Sequence, residues 1–383
     1  MKTKLTLTFL LSLYFCLLSS QVKVRLFTDI NPDLAIFAVK SGQYLITDSL
    51  TLSVNIVAGE SVMIARYKKK IFLKPRNGNG RICDTVFIMG QTGADGFSLR
   101  VTGSEFTRKN YSGDLKCFSD MGKLLLINTC DIEKYIAGVV KAEGGGGKNG
   151  EYFKTQAIIA RTYTYRYYNK HILDGYNLCD DTHCQAYNGL IGDSIIIKSV
   201  LDTKGLVITT SDSMLIISAF HSNCGGETSP SEYAWVTGQP YLKRVVDPYC
   251  QNSWNALWEK KMTLKEWTKL LQLNGYSGSL EDPSIFNFSQ TSRVQDYSAG
   301  SFSLPLRTIR TKLDLKSSFF SVSVDGDSLL LKGRGYGHGV GLCQEGAINM
   351  ALQGFTYQQI INFYYFGVSI MDIKNAVLLP PTP

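Results

Sequence analysis

The stretch Glu133-Lys-Tyr135-Ile-Ala-Gly138-Val139-Val-Lys-Ala-Glu143 is followed, after seven residues of which five are glycine, by Glu151-Tyr-Phe-Lys154-Thr-Gln156-Ala157-Ile-Ile-Ala160-Arg161-Thr162-Tyr163. Both stretches predict helices, the first beginning near Asp131 and the second running from about Glu151 to His171. Asn149 is a capping candidate for the second helix. Its apolar residues fall on two faces, so we expect a helix that is packed on both sides.

The residues before these helices read as short strands separated by Gly, Asn and Asp turns. We predict strands at 22–27, 50–54, 62–65, 85–89, 97–101 and 124–127, with later β-like runs at 206–210, 215–220 and 319–324. Short helices are predicted at 264–271 and after Thr356, where a capping box to Gln359 begins and Gly367 provides a stop signal.

These patterns predict an α+β fold. A β-rich N-terminal part, residues 21–129, would pack with a mixed helical and strand catalytic core at 130–375, followed by a tail at 376–383.

Residues 1–20 have the pattern of a secretory signal peptide: a basic start, the apolar run Leu5–Leu18, and the small pair Ser19 and Ser20. A run of about 14 apolar residues is shorter than the roughly 20 that span a bilayer, so we expect no stable membrane anchor. We therefore expect an exported protein of the periplasm or cell-wall space. The formal charge of +8 falls to about +6 once Lys2 and Lys4 leave with residues 1–20. It favours an anionic partner, with a merely solubilising charge as the alternative, and export argues against nucleic acid.

Several familiar chemistries are excluded by pattern. The run Gly144–Gly147 is not a phosphate loop, because Asn149 stands where that motif requires a hydroxyl residue. The chain has no Gly-x-Ser-x-Gly and no His-Glu-x-x-His, which argues against serine hydrolases and zincins.

Three of the four histidines, His183, His221 and His338, stand in loops rich in glycine and small polar residues. Such loops let the backbone approach a ligand, so we expect these histidines to share one polar site.

The two helical stretches resemble, in order, the core of the SpoIID/LytB family. The resemblance continues through His221-Ser-Asn-Cys-Gly225-Gly226 and Gly335-Tyr-Gly-His338-Gly-Val-Gly341-Leu-Cys-Gln344-Glu-Gly346-Ala347, and Tyr111-Ser-Gly113-Asp-Leu extends it into the β-rich part. It implies lytic transglycosylase activity on peptidoglycan, cleaving between N-acetylmuramic acid and N-acetylglucosamine. It also implies one glutamate as the catalytic acid/base, which motif alignment places at Glu143.

One carboxylate is chemically sufficient for that reaction, although most glycosidases need two. Glu143 would protonate the glycosidic oxygen and then deprotonate the sugar's own C6 hydroxyl, which gives a 1,6-anhydro end. Catalysis then requires no cofactor. We expect further residues to bind substrate or brace the cleft: Arg161, Gln185, Tyr187, His221, Gly225, Gly226, Tyr336, His338 and Gln344.

The chain departs from the family pattern at Gly144–Gly147, where many relatives carry Met-Pro and an aromatic-containing loop. Cys224 and Cys343 also stand where small or polar residues are common in relatives. Two alternatives therefore stay open: a wall-binding or amidase-enhancing protein without turnover, and a zinc-dependent wall amidase. Peptidoglycan strands are the expected partner, with a wall amidase as a further partner of the non-catalytic protein.

Eight cysteines follow residue 20, an even number that suits disulfides in an exported chain. Cys224 and Cys250 bracket the segment after the His221 loop and predict one disulfide. A second group holds enough soft ligands for a tetrahedral structural zinc, namely His171, Cys179, His183 and Cys184. A disulfide between Cys179 and Cys184 is the competing interpretation.

Overall fold

The computed structural model describes residues 21–48, 52–102, 107–144, 146–235 and 237–377. The predicted signal peptide and the last six residues of the predicted tail lie outside these ranges. The chain divides into two compact units. Among the described residues, the first unit contains 21–144 and 156–206, and the second contains 146–155 and 207–377. The predicted α+β fold class is confirmed.

The first unit is built on two sheets, one of seven strands and one of six. Its strands are β1 (Gln21–Arg25), β2 (Leu34–Ser41), β3 (Gln43–Asp48), β4 (Ser53–Val57), β5 (Ser61–Tyr67), β6 (Lys70–Pro75), β7 (Arg81–Cys83), β8 (Thr85–Gly90), β9 (Gly96–Val101), β10 (Thr107–Ser112), β11 (Asp114–Asp120), β12 (Lys123–Asp131) and β13 (Leu178–Cys179). The strand orders are β13-β1-β12-β11-β8-β3-β4 and β10-β9-β2-β5-β6-β7. Strands β1, β5, β8, β9 and β12 confirm five predictions; the predicted strand at 50–54 overlaps β4, and its residues 50 and 51 lie outside the described ranges.

The burial pattern of each strand follows its place in the sheets. In β2 the buried residues Ala35, Phe37 and Val39 alternate with partly exposed neighbours. In β12, by contrast, residues 124–128 are all buried, and this strand pairs with β1 on one side and β11 on the other. The strand ends at Asp131, whose carboxylate accepts the backbone N–H groups of Glu133 and Lys134. A strand with a buried centre therefore leads directly into a capped helix.

The described residues form eight α-helices: α1 (Ile132–Glu143), α2 (Gly150–Arg166), α3 (Ser194–Asp202), α4 (Ser231–Ala234), α5 (Leu264–Gln272), α6 (Leu306–Leu313), α7 (Gln344–Leu352) and α8 (Tyr357–Tyr364). Short 3-10 turns lie at Ile172–Asp174, Pro283–Phe286 and Ile373–Asn375. Helix α5 and the capping box of α8 confirm two predictions. Within the described part of the chain, no helix has both the length and the apolar character that a membrane crossing needs.

Three predicted element boundaries are wrong. Helix α2 ends at Arg166 and not at His171, because the chain turns there and the Asn177 side chain donates to the Tyr168 carbonyl. Residues 215–220 do not form a continuous strand. The Ile217 N–H donates to the Tyr241 hydroxyl at 3.0 Å and therefore does not pair with a neighbouring strand. Helix α8 ends at Tyr364, before Gly367.

The second unit contains small sheets around its own apolar core. Its strands are β14 (Leu206–Thr209, whose first residue belongs to the first unit), β15 (Phe220–His221), β16 (Leu257–Thr263), β17 (Asp296–Ala299), β18 (Phe302–Pro305), β19 (Phe320–Asp325), β20 (Ser328–Arg334), β21 (Leu342–Cys343) and β22 (Ser369–Asp372). The three-stranded sheet β16-β20-β19 packs with α5 and α6 around Trp267, Tyr297, Ile309 and Leu331. The parallel pair β15 and β21 brings the His221 loop beside the start of α7.

A buried ion pair joins α1 to α2 inside the first unit. Arg161 Nη2 lies 2.5 Å from Glu133 Oε2, and Arg161 Nε lies 3.0 Å from Glu133 Oε1. Nη2 also donates to the Val200 carbonyl, and Nη1 donates to the Leu206 carbonyl. Because Arg161 has no exposed surface, these contacts take the place of water around its charge.

We expect Arg161→Met to lower the free energy of unfolding by about 3–5 kcal/mol, because it leaves the Glu133 carboxylate buried without its counter-ion. Urea unfolding measures this loss. Lys198→Met is the matched control, since it breaks the exposed Lys198–Asp202 pair, for which we expect a loss below about 1 kcal/mol. Equal losses in the two variants would contradict a fold-determining role for the buried pair.

Candidate functional site

Glu143, the predicted catalytic residue, is the last residue of α1 and is partly exposed. Its Oε1 accepts the backbone N–H of Ala186 at 2.7 Å. Burial raises the pKa of the Glu143 carboxyl above the 4.5 typical of glutamate, and the Ala186 N–H offsets part of that rise. A carboxyl that keeps its proton to higher pH is suited to act as a general acid.

A glycine in α1 allows the Ala186 loop to reach Glu143. A Cβ at Gly138 would lie 2.5 Å from both the Gly189 carbonyl oxygen and Cε2 of Tyr187, so no other residue fits without moving the loop. Tyr187 packs against Tyr135 of α1 with ring centroids 4.9 Å apart. Gly138 and Ala186 were not predicted as site residues from the sequence. Gly138 could have been noticed, because a glycine inside a helix lowers its stability and therefore indicates a close packing contact.

Three predicted binding residues of the first unit are buried. Arg161 pairs with Glu133, Tyr187 packs on Tyr135, and Gln185 Nε2 donates to Thr164 Oγ1 at 3.1 Å. Each is at most 2% exposed. These contacts support the packing of the first unit, and direct contact with a ligand stays a prediction for all three residues.

The predicted metal ligands of the first unit converge. One donor atom from each of His171, Cys179, His183 and Cys184 lies within 4.8 Å of the other three. Cys184 Sγ is 3.6 Å from His171 Nε2, and Cys179 Sγ is 3.5 Å from His183 Nδ1. Both thiols are free, and donation from Cys179 lowers the pKa of Cys184 to about 7. Two sulfurs and two imidazole nitrogens are a suitable tetrahedral set for zinc.

The surroundings of this cluster hold its ligands in place. Cys179 lies in β13, which pairs in parallel with β1. The next residue, Asp180, accepts the backbone N–H groups of Phe27 and Thr28. His171 Nδ1 faces the Asp174 carboxylate at 3.2 Å, which leaves Nε2 directed to the cysteines. Histidines that bind a metal through one ring nitrogen commonly donate the other ring N–H to a carboxylate, which fixes the orientation of the ring.

In the second unit the structure brings His221 and His338 together, with ring centroids 5.6 Å apart. His221 Nδ1 donates to the Val340 carbonyl, and its buried Nε2 has no hydrogen-bond partner among the described residues. Burial lowers the pKa of His338 to about 4, and burial together with His338 lowers the pKa of His221. Both imidazoles are therefore neutral at neutral pH. The third expected member, His183, belongs to the first unit and its cysteine cluster.

The loop after His221 depends on its two glycines. Gly225 has φ +73°, and a Cβ there would lie 2.6 Å from Arg334 Cβ; Gly226 has φ +95°.

Tyr336 is 46% exposed, and the backbone N–H of Tyr336 and that of Asn223 each donate to the carbonyl of the other residue. Gln344 begins α7. The predicted binding residues His221, Gly225, Gly226, Tyr336, His338 and Gln344 thus lie in the second unit, whereas Glu143 lies in the first.

A groove of about 560 Å³ lies beside His338 in the second unit. Its lining includes the aromatic residues Tyr233 and Trp235, together with Arg307, Arg310 and Lys312. Aromatic rings stack on the apolar faces of sugar rings, and cationic side chains pair with carboxylates. This mixture suits an acidic carbohydrate or peptide.

The disulfide predicted between Cys224 and Cys250 is absent from the structure. Both thiols are free, with their sulfur atoms 3.3 Å apart. The buried Cys343 and Asp247 lie beside them.

Residues 120–210 match the family SpoIID, described as stage II sporulation protein, a range that includes every candidate residue of the first unit. Stage II sporulation protein D of Bacillus subtilis is 30% identical over 262 residues, which cover 64% of this chain and 76% of that protein. An uncharacterised protein of Brachyspira hyodysenteriae is 28% identical over 300 residues, 74% of this chain and 76% of its own. The amidase enhancer of Bacillus subtilis is 28% identical over 290 residues, 61% of this chain and 40% of that protein.

Glu143→Gln removes an ionisation that burial disfavours. Below pH about 4 the carboxyl is neutral in the folded and unfolded states; as the pH rises through the raised folded pKa, the wild type loses stability because the unfolded chain ionises more readily. We expect the melting temperature of the variant, relative to the wild type, to increase as the pH rises above about 4.

Glu266→Gln is the control of opposite sign, because hydrogen bonds from Thr263 lower the pKa of Glu266. There the wild type gains stability with rising pH, so the variant's relative melting temperature should decrease. A pH-independent difference for Glu143→Gln would contradict the burial of its carboxyl.

Proposed function

The chain belongs to the SpoIID family, and on this premise we propose that it is an exported lytic transglycosylase that cleaves peptidoglycan with Glu143 as its single acid/base. The observation that carries the proposal is the state of Glu143: a partly buried carboxyl with a raised pKa, held by the Ala186 N–H at the end of a rigid helix. Export rests on the pattern of residues 1–20.

In the proposed reaction, protonated Glu143 donates its proton to the oxygen between N-acetylmuramic acid and N-acetylglucosamine as that bond breaks. The resulting carboxylate then takes the proton of the muramyl C6 hydroxyl while that oxygen bonds to the anomeric carbon. Glu143 finishes the cycle protonated, and no water is consumed. The Ala186 N–H favours the carboxylate form and therefore stabilises the intermediate stage of this cycle.

The groove beside His338 supports an acidic glycan as ligand. Trp235 and Tyr233 offer aromatic faces, while Arg307, Arg310 and Lys312 offer positive charge to the carboxylates of peptidoglycan. The chain's formal charge of +8 has the sign that favours this polymer.

A second candidate function is a wall-binding protein that stimulates an amidase without cleaving glycan. Two observations favour it: one relative carries the name amidase enhancer, and Gly144–Gly147 stands where many relatives carry Met-Pro and an aromatic-containing loop. A zinc-dependent amidase is less well supported, because the His171 cluster offers four protein ligands, whereas a catalytic zinc keeps one position open.

We expect Glu143→Gln to lower glycan cleavage by about a hundredfold to ten-thousandfold, because glutamine keeps the shape of the side chain but cannot exchange a proton. The measurement is mass spectrometry of muropeptides after digestion of purified glycan strands, with anhydromuramyl ends counted for variant and wild type. Glu151→Gln is the control at another helical glutamate, where cleavage should stay within a few-fold of the wild type.

The products separate the candidate functions. Anhydromuramyl ends that disappear in the Glu143 variant support the transglycosylase, whereas freed stem peptides would indicate an amidase. Glycan binding without products, in wild type and variant alike, would assign the protein to the wall-binding class. Equal yields of anhydromuramyl ends from folded variant and wild type would overturn the role of Glu143.

We propose in addition that His171, Cys179, His183 and Cys184 hold a structural zinc, which would cross-link the chain after α2 to β13 and need take no part in the chemistry. Protein purified without chelator should contain zinc that Cys184→Ser loses, with a lower melting temperature. Elemental analysis and thermal unfolding measure both effects. A mapped Cys179–Cys184 disulfide, or unchanged zinc in the variant, would contradict this assignment.

A further inference from the structure

Four fully buried side chains converge in the second unit, at a place that the proposed reaction does not use. They are Cys224, Asp247, Cys250 and Cys343, and a donor atom from each lies within 4.8 Å of the other three. Cys224 Sγ lies 3.3 Å from Cys250 Sγ and 3.2 Å from Asp247 Oδ2. We propose that these residues form a second metal centre, which binds Zn²⁺ through three thiolates and one carboxylate.

The spacing of the donors suits a metal better than a disulfide. Around a tetrahedral zinc with metal–sulfur bonds of about 2.3 Å, the sulfur atoms lie about 3.8 Å apart. Cys224 Sγ and Cys250 Sγ lie 3.3 Å apart, and every pair of donor atoms in the cluster lies within 4.8 Å, so a small adjustment brings the donors to that spacing. A disulfide would instead draw two sulfurs to about 2.05 Å and leave the third thiol beside them unused. Three converging thiols and a carboxylate are a complete ligand set for one zinc.

The backbone around the cluster is arranged for sulfur anions. Gly226 N–H points at Cys250 Sγ at 3.2 Å, while the N–H groups of Cys224 and Gly346 point at Cys343 Sγ at 3.3 and 3.4 Å. Cys343 is also the N-cap residue of α7, so its sulfur lies at the positive end of a nine-residue helix. Both features stabilise thiolates, which are the form that binds a metal.

The carboxylate ligand has its own supports. Asp247 Oδ1 accepts the Tyr249 N–H at 2.9 Å, and Oδ2 accepts the Tyr364 hydroxyl at 2.9 Å. Binding of Zn²⁺ would release three thiol protons and leave the centre with two negative charges. The buried guanidinium of Arg293 donates to the Cys224 carbonyl at 2.7 Å and places a positive charge beside them.

The centre would join three segments of the second unit: the loop at 221–226, the turn at 247–250 and the start of α7. Gly346 is required at the last of these, because a Cβ there would lie 2.5 Å from Asp247 Oδ2. His221 is next to the cluster in the parallel pair of β15 with β21, where it lies opposite Cys343. A metal here would therefore hold the His221 loop in position.

The test is the zinc content of protein purified without chelator, measured by elemental analysis for the wild type, Cys343→Ser, Cys184→Ser and Cys117→Ser. Serine at 343 can still cap α7 with its hydroxyl but is a poor zinc ligand. We expect Cys343→Ser to contain one zinc per chain less than the wild type. Cys117 is a buried cysteine of β11 outside both clusters, so Cys117→Ser should match the wild type.

Unchanged zinc in Cys343→Ser, or a Cys224–Cys250 disulfide mapped in the wild type, would overturn the proposal. If Cys343→Ser does not fold, the double variant Cys179→Ser/Cys184→Ser serves instead, because it removes both sulfur ligands of the first cluster and keeps this one intact. Loaded with Co²⁺, it should show thiolate-to-cobalt charge transfer and the intense visible bands of a tetrahedral site. Absence of these bands would equally overturn the proposal.

Discussion

The close approach of the Ala186 loop to α1 at Gly138 is the contact on which the candidate catalytic residue depends. A helix carries Glu143 at its end, but the helix alone does not set the carboxyl's environment. The loop supplies the N–H that holds Oε1 at 2.7 Å. Because a Cβ at Gly138 would collide with Tyr187 and Gly189, the helix tolerates the propensity cost of glycine to obtain this contact.

Aromatic packing connects that contact to the β-rich part of the same unit. Tyr187 lies between Tyr135 of α1 and Tyr111 of β10, with centroid distances of 4.9 and 6.0 Å. Tyr111 in turn packs on Phe97, and Phe97 stacks on Phe37 at 4.7 Å. The aromatic side chains of the sheets therefore form the base against which the Ala186 loop is packed.

Local patterns predicted the parts of the fold whose causes are local. The short apolar run at 62–65 and the capping box at Thr356 are each visible within a few residues, and both belong to the predicted elements, β5 and α8. The strand predicted at 215–220 was wrong because the backbone N–H of Ile217 donates to the Tyr241 hydroxyl, which lies 24 residues away in the chain. Glu143 was predictable from its motif, whereas its contact with Ala186, 43 residues along the chain, was not.

The cysteines show the same limit most clearly. Pairing Cys224 with Cys250 follows from sequence proximity, but the third sulfur comes from Cys343, 119 residues from Cys224, through the parallel pairing of β15 with β21. When three thiols and a carboxylate are buried together, two reactions compete. Either two of the thiols are oxidised to a disulfide, or all four side chains bind one metal ion. The N–H groups directed at Cys250 and Cys343 favour the second, because they stabilise separate thiolates and would lose most of that electrostatic value against a neutral disulfide.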